Sequence, residues 1–353
     1  MMKALALLSE LMPLKVAKLM LLLTLILPLF LANPSYALPE ASIRTELSAT
    51  ILPFLTTGKR FTFETSDGMQ LQAVHFINPN STKTIVLVSG RTESWLKYGE
   101  VFYDLYQKGY SIYSYDHRGQ GLSPHLSPIN PQIGYVAHFQ SYLEDLNTFV
   151  TTVVVPEQKP TDSLFLLAHS LGGGISAGYL SEFKVPFKKA ILSAPMLQIN
   201  TKPYPEIVAL GIVSALDALG KGYHYAPGYH DYHVDQPFST NTTTKSENRW
   251  WMTNEIYKAF PETILGGPSN RWVLENINAT HRIRRETGNI EIPFIMFQSE
   301  KDQIVKPGGE NTGCANAGKL CTKIVMPDSQ HEVLMERDVI RDKAMAIIEE
   351  YFQ

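Results

Sequence analysis

One stretch limits the architecture of this chain more than any other: Leu164-Phe165-Leu166-Leu167-Ala168-His169-Ser170-Leu171-Gly172-Gly173-Gly174. An apolar run of strand length reaches a small residue, then His169-Ser170-Leu171, then three glycines and a helix-like segment over 175–180. The pattern reads as strand, sharp turn, helix. It fits the G-x-S-x-G elbow that presents a nucleophile, with Ala168 in place of the first glycine. Small neighbours are needed there because the central residue adopts a strained backbone where strands and helix crowd together. Ser170 is then expected at the carboxyl end of a central strand, with the free N–H groups of the next helix turned toward it.

The text around the elbow supplies the rest of a sheet. Segments 60–64 and 70–76 alternate in character about Ser66-Asp67-Gly68 and read as an antiparallel hairpin. Buried-strand runs follow at 84–88, 111–115, 189–193, 293–297 and 323–326, with helical spacing over 95–108, 139–154 and 336–351. Alternating strands and helices imply an α/β fold, a mostly parallel sheet covered on both faces. The alternation stops at Pro195. From 196 to 268 the chain is aromatic, loop-rich and partly helical, with 207–219 the clearest amphipathic stretch. This insertion lies on the side where the nucleophile emerges and is expected to form a cap over a core made of 38–195 and 269–353.

Lys3, Lys15 and Lys18 precede a nearly unbroken apolar run over 19–32, and Ser35-Tyr36-Ala37 follows as a small-x-small cleavage signal. Residues 1–37 therefore read as a secretory leader, giving an exported protein that is periplasmic or secreted in a bacterium. The alternative is an uncleaved N-terminal membrane anchor. The two cysteines, Cys314 and Cys321, are expected to form a disulfide in such a compartment. With a net charge of −3 over 353 residues and no long single-sign run, nothing provides the basic face that nucleic acid requires.

Serine needs a base, and the base needs an orienting carboxylate. Following the run 293–297, Ser299-Glu300-Lys301-Asp302 places Asp302 in a loop at a strand's carboxyl end; following 323–326, Pro327-Asp328-Ser329-Gln330-His331 does the same for His331. The three candidates, Ser170, Asp302 and His331, thus leave one edge of the sheet, where open α/β sheets bind ligands. Glu300 and Asp328 are competing orienters. The oxyanion needs two backbone N–H donors, expected from Leu171 and from Arg91 in the loop Ser89-Gly90-Arg91-Thr92-Glu93-Ser94. The Arg91 side chain is a candidate attractor for an anionic head group. The turn Asp116-His117-Arg118-Gly119-Gln120-Gly121 lacks the Lys-Ser/Thr ending of a phosphate loop and reads as support for the site floor. His224, His230, Asp231 and His233 fall in a loop with no rigid element to present them, so no metal site is expected.

Together, Arg91-Thr92-Glu93-Ser94, Tyr98, Asp116 to Gly121 and Ala168 to Gly173 resemble the branch of the α/β-hydrolases that contains monoacylglycerol lipases and bacterial lysophospholipases, the latter more closely. The resemblance implies an α/β-hydrolase fold, Ser170 as nucleophile, His331 as general base and acid, Asp302 as its orienter, and oxyanion amides from Arg91 and Leu171. It also places Glu93 at an acidic position near the polar head-group end. The implied activity is cleavage of the acyl ester of a single-chain lipid, a lysophospholipid or monoacylglycerol, with peripheral membrane contact and no cofactor. General carboxylesterase, lipid acyltransferase and non-catalytic lipid binding are the competing readings.

Overall fold

The computed structural model describes residues 37–353 apart from residue 235. Of the leader expected over 1–37, all but Ala37 lies outside the described residues. Eight strands form one sheet: β1 (Lys59–Glu64), β2 (Gln70–Phe76), β3 (Lys83–Val88), β4 (Ser111–Tyr115), β5 (Ser163–His169), β6 (Lys189–Ser193), β7 (Phe294–Ser299) and β8 (Cys321–Met326). Their spatial order is β1-β2-β4-β3-β5-β6-β7-β8. The β1/β2 and β2/β4 pairs are antiparallel, and every pair from β4 to β8 is parallel.

The α-helices are α1 (Gly99–Gln107), α2 (Gln140–Thr148), α3 (Leu171–Glu182), α4 (Glu206–Leu216), α5 (Glu247–Ala259), α6 (Asn270–Glu286), α7 (Pro307–Ala317) and α8 (Asp338–Tyr351). A short helical run over 40–57 precedes β1. Strands β3, β4 and β5 carry apolar side chains on both pleat faces, which is what burial under helices on two sides demands. One face packs residues such as Val86, Leu166 and Leu192 with Leu143 and Ile283; the other packs Ile85, Leu167 and Ile191 with Val101 and Ile348.

The chain between β6 and β7 behaves in two ways. Helix α4 keeps an apolar surface in solvent, whereas α5 is built into the body: Met252 and Ile256 join the core beside Leu96 and Met335. Arg249 of α5 is fully buried. Its Nε donates to Glu100 at 2.9 Å, its Nη2 reaches Glu100 at 2.9 Å and Asp338 at 2.8 Å, and its Nη1 donates to the Glu336 carbonyl at 2.7 Å. Arg341, also fully buried, adds Asp104 at 2.6 Å. This lattice fastens α1, α5 and the start of α8 to one another. Cys314 and Cys321 are disulfide-bonded, tying the last turn of α7 to the first residue of edge strand β8. The intervening residues are helical.

Removing one partner of a buried ion pair strands the other without water. Arg249→Met is therefore expected to lower unfolding stability by about 3–5 kcal/mol. Arg282→Met, which breaks a partly exposed pair with Glu182, should cost below about 1 kcal/mol. Urea midpoints of the two variants check this, and equal shifts would contradict it.

Candidate active site

Strand β5 ends at His169, and the chain turns into α3 through Ser170 at φ 52° and ψ −116°. L-residues avoid that conformation, so surrounding structure must hold it. The Ser170 N–H donates to Ser193 at 3.0 Å, and its carbonyl accepts from Gly174 at 3.0 Å and Met196 at 2.8 Å. Glycine is required two residues on: a Cβ at Gly172 would lie 2.3 Å from the Val88 carbonyl oxygen and 2.4 Å from that of Ser89. The first turn of α3 therefore presses on the end of β3. Leu171 opens α3, so its N–H has no carbonyl four residues back within the helix to meet.

The structure brings Ser170, His331 and Asp302 into one hydrogen-bonded chain. His331 Nε2 accepts from Ser170 Oγ at 2.7 Å while its Nδ1–H donates to Asp302 Oδ2 at 2.7 Å. The other Asp302 oxygen accepts from the amides of Ile304 at 2.7 Å and Val305 at 3.0 Å. Burial favours the neutral acid, but the His331 imidazole and the two amides outweigh it and hold the Asp302 carboxyl below its usual range. The competing carboxylates are engaged elsewhere. Glu300 accepts from the Asp328 amide at 2.9 Å, and Asp328 pairs with Lys245 and with Arg337 at 2.7 Å.

Glu93 corrects an expectation. It was to contact a head group, yet it is 3 % exposed and lies beneath the loop after β3. Its carboxylate accepts from the Gly90 amide, from Tyr98 Oη at 2.6 Å and from Lys97 Nζ at 2.8 Å. Lys97 Nζ also pairs with Glu332 at 2.8 Å, next to His331 in sequence. His169 joins through Nδ1, 3.3 Å from Glu93, and Nε2, 3.3 Å from the His331 carbonyl. Burial opposes charge on Glu93, but Lys97 and His169 reverse this and keep its carboxyl well below the usual range. The result is a buried charged cluster joining the loop after β3 to the histidine loop. Sequence reasoning missed Lys97, Glu332 and His169. Only the four-residue spacing of Glu93 and Lys97 offered a signal, as a helical ion-pair spacing.

The turn after β4 braces the same loop. Gln120 Nε2 donates to the carbonyls of Gly90 at 2.7 Å and Glu93 at 2.8 Å. Asp116 accepts from the Trp95 amide at 2.7 Å, from Ser94 Oγ at 2.8 Å and from the Leu122 amide at 2.8 Å. Arg118 is paired with Asp67 and Asp145.

Two cavities lie near the end of the sheet where these loops meet. The larger, about 340 Å³, is lined by Arg91, Thr92, Asp231, Asn254, Tyr257 and Glu332 among others. The smaller, about 110 Å³, is more apolar, with Ile212 and Val213 of α4 facing Trp272 and Val273 of α6. Tyr229 borders both. Asp231, in the histidine-rich stretch, accepts from Asn130 at 2.7 Å and from Tyr225 Oη. Among the described residues no group of three or more His, Cys, Asp or Glu side chains is placed to hold a metal ion.

A family model described as serine aminopeptidase, S33 (Hydrolase_4) matches residues 79–338. The probable lysophospholipase L2 of Haemophilus influenzae is 32 % identical over 308 residues, covering 86 % of this chain and 95 % of that protein. The monoglyceride lipase of Rattus norvegicus is 26 % identical, covering 69 % of this chain and 73 % of its own. In fold, a soluble variant of the monoglyceride lipase of Saccharomyces cerevisiae superposes with a TM-score of 0.66 at 18 % identity, over 84 % of this chain and 94 % of that one. Matched along most of its length, the chain belongs to the Hydrolase_4 family and is an ester hydrolase of the α/β-hydrolase fold.

Proposed function

We propose that the protein hydrolyses the acyl ester of single-chain lipids, lysophospholipids foremost, through an acyl-enzyme formed on Ser170. The observation that carries this reading is the unbroken Ser170–His331–Asp302 chain beside a loop whose backbone is pinned from below. Ser170 Oγ attacks the ester carbonyl as His331 takes its proton, and Asp302 holds the imidazole in the tautomer that can accept it. The amides of Leu171 and Arg91 receive the oxyanion. His331 then protonates the departing glycerol oxygen, and water repeats the sequence on the acyl-enzyme. The apolar cavity under α4 suits an acyl chain and the polar one suits the alcohol side. A lysophospholipase L2 and a monoglyceride lipase among the relatives support a glycerol monoester substrate.

Placement is inferred on separate grounds. Residues 1–37 are taken as a leader cut after Ala37, and 196–268 as the cap. The Cys314–Cys321 disulfide supports an oxidising destination. Ile207 and Leu219, 75 % and 74 % exposed at either end of the helical stretch that includes α4, support peripheral contact with a lipid surface. Among the described residues no helix is long and apolar enough to cross a membrane.

Ser170→Ala should lower kcat on lysophosphatidylcholine by about 10⁴-fold or more, and Asp302→Asn by roughly 10³–10⁴-fold, with unchanged circular dichroism. Near-normal turnover in the serine variant would refute the assignment. Parallel assays on monoolein, p-nitrophenyl butyrate and an aminoacyl anilide separate lysophospholipase from monoacylglycerol lipase, general esterase and aminopeptidase. For placement, the exported protein should begin at Leu38 by mass spectrometry. The double variant Ile207→Asp, Leu219→Asp should bind phosphatidylglycerol vesicles at least about fivefold more weakly while cleaving p-nitrophenyl butyrate normally.

A further inference from the structure

Buried cations in this protein are matched with carboxylates. Lys97 meets Glu93 and Glu332, Arg118 meets Asp67 and Asp145, Arg249 meets Glu100 and Asp338, and Arg341 meets Asp104. Arg91, which is only partly buried, has no such match. Among the described residues no carboxylate forms an ion pair with its guanidinium; the phenols of Tyr229, Tyr142 and Tyr225 act on it electrostatically. Its Nη2 donates to the Gly266 carbonyl at 2.6 Å, its Nε is buried with no partner, and its Nη1 makes no hydrogen bond to any described residue.

The side chain is nevertheless fixed. The guanidinium carbon stands 5.0 Å from the centroid of the Trp272 ring. Opposite, a Cβ at Gly134 would approach Nη2 to 2.6 Å, so that glycine leaves the room the arginine occupies. An arginine held in place with donors unspent is pre-organised for an acceptor that the protein itself does not provide. Burial pushes its pKa down to about 10, which leaves it charged at neutral pH.

Position says where such an acceptor would come from. Arg91 lines the polar cavity and lies in the loop whose backbone is assigned to the oxyanion. The carboxylates that share this cavity are engaged: Glu332 pairs with Lys97, and Asp231 accepts from Asn130 and Tyr225. Trp272, under the guanidinium, also walls the apolar cavity. The arginine thus stands at the boundary between the two spaces that an amphiphilic ester would fill.

We propose that the Arg91 side chain is the specificity determinant that favours glycerol esters bearing a phosphodiester over uncharged ones, by receiving the phosphate in the polar cavity while the acyl chain lies beyond Trp272. The inference rests on the esterase reading above and goes further by assigning head-group choice to one side chain. An uncharged monoacylglycerol leaves the cation unmatched, whereas a phosphodiester supplies the missing anion through charge-assisted hydrogen bonds.

The test compares kcat/KM for decanoyl lysophosphatidylcholine and monodecanoin, both below their micelle concentrations, in the full-length mature protein. Reading the ratio of the two substrates cancels any general loss caused by disturbing the loop. Arg91→Gln should reduce the lysophospholipid-to-monoacylglycerol ratio roughly 10–100-fold, and Arg91→Lys less, as expected when a hydrogen bond to a charged group is lost. A ratio that stays within about twofold of wild type overturns the proposal, since that is well below such a loss. A second measurement needs no variant: against p-nitrophenyl butyrate, an ether-linked lysophospholipid should inhibit the wild type at least about tenfold more tightly than the alkylglycerol of equal chain length. Equal potency overturns the proposal. If the wild type cleaves neither lipid, the esterase reading itself fails; an unchanged ratio between two good substrates removes only the arginine's role.

Discussion

Everything at this site depends on how closely the first turn of α3 approaches the end of β3. With no side chain at Gly172, the helix comes down onto the Val88 and Ser89 carbonyls, and Ser170 is held at a positive φ by bonds to Ser193, Gly174 and Met196. That approach places the serine hydroxyl and the Leu171 amide beside the loop that follows β3. A looser turn would let Ser170 relax into an ordinary conformation and lose the alignment with His331. The strain is therefore what would be expected if the proposed nucleophile and oxyanion donor are adjacent residues of one turn.

A second constraint acts from below. The geometry of the loop after β3 is fixed by Glu93 on the Gly90 amide, Gln120 on two carbonyls and Asp116 on the Ser94–Trp95 turn. Lys97 carries that order across to Glu332, and His169 carries it to the His331 carbonyl. The loop after β3 and the His331 loop share one buried electrostatic cluster, so neither can shift without leaving a charge unpaired in a poorly solvated place.

How much of this was legible in the sequence follows from its physical range. The elbow and the order of Ser170, Asp302 and His331 were readable because each rests on a local strand-to-loop transition, and strand ends are marked by apolar runs that stop abruptly. Glu93 was misread because a carboxylate near a substrate loop looks the same in sequence whether it faces solvent or lies under Lys97 and Tyr98. Helix α7 was hidden by glycines and asparagines that disfavour helix; tertiary contacts override that preference, with Glu310 buried against Gln298 and Gly309 packed on Gln198. Helix α6 escaped notice although Ser269 caps it by accepting from Trp272 N and its buried face is amphipathic.

The same accounting of charges explains why the insertion has two characters. Helix α5 brings an arginine into the core and is fixed there by Glu100 and Asp338; α4 carries a single charge, Glu206 at its start, which pairs with His281, and the rest of the helix is mostly apolar. Fixing α5 sets the far wall of the polar cavity through Thr253, Asn254 and Tyr257, while α4 walls the apolar one and leaves apolar surface in solvent. On the proposed reading, the polar and the hydrophobic space suit opposite ends of an amphiphile: the end that needs directional recognition meets the wall anchored through Arg249, and the end that needs only apolar contact meets α4. Arg91 and Trp272 stand where those two demands meet, so in this reading the partition of charge in the fold sets the orientation of the bound ester.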